Sequence, residues 1–214
     1  MKKCPAFYLT FLYFAIHISV YAQVSPQAIQ VLKKNTEAIV SAGNLFNISP
    51  RLIASVIYVE HALNVTWVDR DVDPLLAVYG LNVSLGLGQV KINTAVWIEQ
   101  SLHDSTSAYF LGANCSELIP LSASREETIK RLLLPPWNAK YIAANLAMIR
   151  YRWKEAGVTI DDNTEILATL YSAGVVENNI EKRFPRTQPV SNGFGKLAEK
   201  FYLSNICRDE LPEK

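Results

Sequence analysis

The chain has 214 residues, 50% apolar and 19% charged, with 21 basic side chains against 20 acidic ones. That balance fits a packed core rather than a disordered segment. Without a basic surplus or a Lys/Arg cluster it gives no footing to a nucleic-acid-binding class.

The chain opens with Lys2 and Lys3 before an apolar run from about Phe7 to Val20, and small residues Val20 and Ala22 sit where a signal peptidase reads them. This predicts a secretory signal over residues 1–22, cleaved after Ala22, and an exported protein of the periplasm or exterior. The run is shorter than the roughly 18–20 residues of a membrane-spanning helix. No later stretch is long and apolar enough to span, so no stable membrane span is expected after signal removal. Cleavage would leave 19 basic against 20 acidic residues and a formal charge of about −1. Residues 23–214 then predict a single domain.

Pro26 to Ser41 reads as an amphipathic helix with Ile29, Leu32, Thr36, Ile39 and Val40 on one stripe, ended by Gly43. A second helix begins at Ser49, a good N-cap, with Pro50 in its first turn. On the helical wheel Glu60 falls roughly 80° from Leu52, inside the arc of Val56, Ile53 and Ile57. Arg51, Ser55 and Tyr58 point the other way, and so does His61, which receives no catalytic part. A carboxylate on an apolar face is paired, protonated or employed, and a raised carboxyl pKa is what a general acid needs. Glu60 is the candidate catalytic residue.

Asp69, Asp71 and Asp73 alternate in a polar loop without the Gly and terminal Glu of a calcium loop, so they read as solvated. Residues 75–85 carry a weak strand pattern and 81–89 are rich in turn residues. Helices are predicted over Val90–Leu102, Ser124–Leu134, Trp137–Glu155, Asp162–Ser172 and 194–206, with an irregular insertion over 103–124. Pro135-Pro136 separates two of them, and Gly157 stops the longest. The fold class is mainly α with little or no β-structure.

After signal removal two cysteines remain, Cys115 and Cys207. An even pair in an exported protein predicts a disulfide, with two independent thiols as the alternative. No spacing of Cys or His suggests a metal, and no cofactor is implied. Asn64-Val-Thr66, Asn82-Val-Ser84 and Asn114-Cys-Ser116 match the glycosylation acceptor pattern and read as chance.

Three segments stand in a telling order: Tyr58-Val59-Glu60-His61; Ser84-Leu85-Gly86-Leu87-Gly88-Gln89-Val90 running into Asn93-Thr94-Ala95; and Ala168-Thr169-Leu170-Tyr171-Ser172-Ala173-Gly174, preceded by Pro136-Trp137-Asn138. Together they resemble the lysozyme-like domain of soluble lytic transglycosylases, over about residues 44–203. His61 departs from that pattern, as do Val83, Gly88, Ile92 and Ser172, where the family commonly has Ser, Gly, Met, Pro and Asn. The resemblance implies a lysozyme-like α-helical domain with a cleft that binds peptidoglycan glycan strands. It implies Glu60 as acid and base, with Gln89, Tyr171, Ser84, Gly86 and Gly88 as sugar-binding residues. Neither the Gln89 nor the Tyr171 segment offers a second carboxylate. A single Glu can protonate the leaving oxygen and then take a proton from an internal sugar hydroxyl, which gives an anhydro-sugar end rather than a hydrolysed one. A hydrolase on the same fold and a non-catalytic glycan-binding envelope component are the alternatives.

Overall fold

The computed structural model describes residues 25–63, 74–161, 163–174 and 185–213. The predicted signal, the Asp69–Asp73 loop, the Asn64 acceptor and Asp162 lie outside the described residues. The chain is mainly α, with ten helices and one two-stranded sheet among the described residues.

The first predicted helix is two. Helix α1 covers Pro26–Lys34 and α2 covers Thr36–Phe46. Asn35 breaks them because its Nδ2 donates to the Val31 carbonyl at 2.8 Å, and Thr36 Oγ1 donates to the Leu32 carbonyl at 3.2 Å. Short polar side chains that take backbone carbonyls in this way compete with the helix ladder. Gly43 does not end α2, which runs on to a left-handed Asn47 cap (φ 52°). A Cβ on Gly43 would lie 2.7 Å from the Ile48 carbonyl oxygen, so the glycine lets the chain fold back against its own helix.

Helix α3, Pro50–Leu63, starts as the sequence predicts: Leu52 N–H donates to Ser49 Oγ at 3.3 Å. Its environment does not follow the wheel. Every residue from Pro50 to Val59 is buried, because α1, α2, α8, α9 and α10 pack around it. Arg51 and Ser55, expected to face away from the core, are 0% exposed. The Arg51 guanidinium donates to the carbonyls of Tyr202 (2.6 Å), Ile206 (3.1 Å), Phe201 (3.1 Å) and Ser204, at and beyond the end of α10. A buried charge is tolerated there because the carbonyls a helix terminus leaves without partners supply its acceptors.

The weak strand pattern over 75–85 resolves differently. Residues 74–78 form a short helix, α4, and only Ser84–Leu85 is extended, as β1. It pairs antiparallel with β2, Val90–Lys91, in the register Ser84 to Lys91 and Leu85 to Val90. Helix α5 therefore begins later than expected, at Ile92–His103. The 103–124 insertion carries a short helix, α6, over Ala113–Leu118. Helix α7 is Arg125–Leu133, N-capped by Ser124, whose Oγ accepts from Glu127 N–H. Pro135-Pro136 ends that run and also starts α8, Pro135–Glu155, since proline suits a first helical turn. Helix α9 is Thr164–Ala173 and α10 is Gly193–Leu203.

The expected Cys115–Cys207 bridge is not formed; both thiols are free. Cys115 is held on α6 against α5, while Cys207 sits in the turn after α10 near Lys33 and Arg51. Burial pushes both thiols above their usual range.

Candidate active site

The two-stranded hairpin presents a four-residue turn, Gly86 to Gln89, whose ends close through Gln89 N–H to the Gly86 carbonyl at 3.3 Å. Two of its residues have left-handed backbones, Gly86 at φ 74° and Gln89 at φ 48°. For Gln89 this conformation costs roughly 1–2 kcal/mol. Its own Nε2 offsets part of that by donating to the Gly86 carbonyl at 3.1 Å.

Asn138, in the first turn of α8 and 0% exposed, holds the turn from behind. Its Nδ2 donates to the carbonyls of Leu85 (2.9 Å) and Leu132 (2.8 Å), and its Oδ1 accepts from Gly88 N–H (2.9 Å). One amide thus fixes β1, the turn and the end of α7 together. Both glycines are required by this packing. A Cβ at Gly86 would lie 2.2 Å from Asn138 Nδ2 and from the Leu132 oxygen; one at Gly88 would lie 2.5 Å from Ile142 Cδ1 and 2.8 Å from the Tyr171 hydroxyl. The close approach that these glycines permit is therefore to α7, α8 and Tyr171.

Tyr171, on α9, donates its hydroxyl to the Gly88 carbonyl at 2.7 Å. Burial first, and then the charge of Glu60, push this phenol well above its ordinary range. Glu60 is thus within electrostatic reach of Tyr171. It is half-buried, at the point where α3 leaves the core after ten consecutive buried residues. The next residue, His61, donates through Nε2 to the Leu87 carbonyl in the turn at 3.0 Å. His61, expected to point away from the apolar arc of α3, is half-buried and reaches the hairpin turn. With the helix buried on all sides, its end meets the hairpin.

A cleft of about 240 Å3 opens at the turn, lined by His61, Ser84, Leu85, Gly86, Leu87 and Gln89 together with Pro74, Leu133 and Pro135. Of the predicted sugar-binding residues, Ser84, Gly86 and Gln89 line it. Gly88 and Tyr171 stand behind the turn and shape it; Glu60 is not part of the cleft lining, whereas the next residue, His61, is. The tryptophans Trp97, Trp137 and Trp153 line none of it. Trp97 meets Tyr109 edge-on at 5.0 Å, Trp153 is buried, and the ring of Trp137 lies under Arg131 and Lys140 at 4.8 and 4.7 Å.

Ser172 is tied to Asn192, the N-cap of α10, whose Nδ2 donates to Ser172 Oγ at 3.0 Å.

A buried carboxylate escaped the sequence reading. Glu99 on α5, 3% exposed, accepts from Ser122 N–H (2.8 Å), Ser122 Oγ (2.7 Å) and the Tyr141 hydroxyl, and lies 3.5 Å from Arg131 Nη1. Its spacing one turn from Ala95 and Leu102, on the helix's inward face, was the signal that could have found it. These donors compensate its desolvation, which makes it a fastening of α5 to α7 and α8. Among the described residues no cluster of His, Cys, Asp and Glu could hold a metal. None of the helices there is long and apolar enough to cross a membrane.

Neither the protein-family models nor the curated proteins compared with this chain match it.

Proposed function

We propose that this chain is an exported peptidoglycan lytic transglycosylase. It would cleave the β-1,4 bond between N-acetylmuramic acid and N-acetylglucosamine without water. Glu60 protonates the leaving oxygen and then, as carboxylate, removes a proton from the muramic 6-hydroxyl, which closes the 1,6-anhydro ring. The observation that carries this reading is the meeting of three separate segments at one turn. Glu60 follows the buried stretch of α3 and immediately precedes His61 of the cleft wall, Gln89 lines the cleft, and Tyr171, within reach of the Glu60 charge, holds the Gly88 carbonyl. The Asn138 clamp keeps the turn fixed, as a preorganised glycan site needs.

The test is the mass of fragments released from purified wall sacculi. Products one water lighter than hydrolytic fragments support the proposal. Fragments at hydrolytic mass transfer the site to an ordinary glycosidase. Sacculi that bind the protein and stay intact make it a glycan-binding component.

A further inference from the structure

A larger cavity, about 760 Å3, lies away from the cleft. The two share no lining residue; Leu52, in its wall, precedes His61 on α3 by nine residues, roughly 14 Å along the helix axis. This volume falls within the range of ligand pockets.

We infer that this second cavity binds a short peptide carrying both free carboxylates and an ammonium group. One wall is the last two turns of α8, where Arg150 and Lys154 stand one turn apart with Tyr151 between them. The cavity also takes Asp161 and Glu213 into its lining, so two cations meet two carboxylates. Arg150 and Asp161 form a long ion pair, and the remaining charges are paired only at the surface or not at all among the described residues. Arg150 Nε and Asp161 Oδ1 are 3.9 Å apart, too far for a hydrogen bond, and Lys154 makes no ion pair among the described residues. Glu213 pairs with Arg208 in an exposed bridge, the kind a competing ammonium displaces at little cost. A neutral glycan would leave all four charges unused, and a simple anion would meet two carboxylates. A ligand with both signs uses them all, while Tyr151 and Tyr202 cover its apolar parts.

The peptides borne by bacterial wall glycans have this chemistry, and in assigning them here the inference rests on the proposed function. The cavity would then select strands that still carry their peptides.

The test is calorimetric titration of the full chain with sugar-free Ala-γ-Glu-diaminopimelate tripeptide and, separately, with neutral chitin tetrasaccharide. The tripeptide is expected to bind at one site and to weaken by about tenfold or more in the Arg150→Ala/Lys154→Ala variant. The tetrasaccharide is expected to bind the variant as it binds the parent. No tripeptide binding to the parent chain, or equal binding to the double variant, overturns the inference. Tripeptide binding lost in Glu60→Gln would move the peptide to the cleft and overturn it as well. If the tripeptide binds as expected and sacculi are left uncut, the cavity stands and the proposed function falls.

Discussion

The Tyr171 hydroxyl and the Gly88 carbonyl, 83 residues apart in sequence, are joined by a 2.7 Å hydrogen bond that ties α9 to the hairpin turn. Gly88 is also held through its N–H by Asn138, so both faces of this one peptide position are fixed by different helices. Tyr171→Phe is expected to retain the fold at a stability cost of about 1–3 kcal/mol, the penalty for an acceptor left without its donor. Glycan cleavage is expected to fall more than the melting temperature does. Activity equal to the parent's would show that the turn needs no such tether.

Glu60→Gln is expected to abolish release of wall fragments while thermal unfolding stays close to that of the parent, since the position is half-buried and the change nearly isosteric. A turbidity assay on sacculi beside a melting curve reads both. Measurable turnover by the variant removes Glu60 from the acid role.

Two glycines in the turn should respond differently to alanine. At Gly86 the added methyl meets a backbone carbonyl and the clamped Asn138 amide at 2.2 Å, on a residue with φ 74°. At Gly88 it meets the end of Ile142, which can shift, at 2.5 and 2.6 Å and the Tyr171 hydroxyl at 2.8 Å. Gly86→Ala is therefore expected to destabilise by more than the roughly 1–3 kcal/mol typical of overpacking, and Gly88→Ala by an amount within it. Adding Ile142→Val should recover part of the Gly88→Ala loss and none of the other. Chemical denaturation of the four variants beside the parent decides it; equal losses would refute the assigned contacts.

Arg51→Met removes a charge but also the donor to four carbonyls at and after the end of α10. Those acceptors would be left inside the fold, so a loss of about 3–5 kcal/mol is expected. A melting temperature unchanged from the parent's would contradict the capping role.

Burial raises the phenols of Tyr109, Tyr141, Tyr171 and Tyr202 above the ordinary 10.0, and the Glu99 and Glu60 carboxylates add to this at Tyr141 and Tyr171. The unfolded chain then loses these protons first. The stabilisation is complete below pH 10 and declines as pH rises beyond it. Unfolding followed between pH 8 and 11 should show that decline, and Tyr141→Phe should flatten it. A flat profile in the parent would mean these phenols titrate normally in the folded chain.

Much of the helical order could be read directly. Ser49-Pro50, Ser124, the Pro135-Pro136 pair and Gly157 act through local backbone chemistry, and each falls at a helix boundary. Asn35 misled because its side-chain bond to Val31 looks, in sequence, like any polar residue on an exposed face. The wheel placed Glu60 on an apolar arc, and the same spacing argument applied to Glu99 would have placed it on one too. It could not separate a carboxylate at a cleft from one fastened by Ser122 and Tyr141, since those donors come from other elements.

By itself, then, the sequence determined the helix boundaries at Ser49-Pro50, Ser124, Pro135-Pro136 and Gly157 and singled out Glu60, because caps, prolines and periodicity act over a few neighbouring residues. Only the tertiary structure decided that Arg51 is inside, that His61 meets Leu87, that Asn138 clamps the turn, and that Cys115 and Cys207 are free. Those outcomes depend on which helices surround α3 and the hairpin, a long-range packing choice that no local pattern encodes.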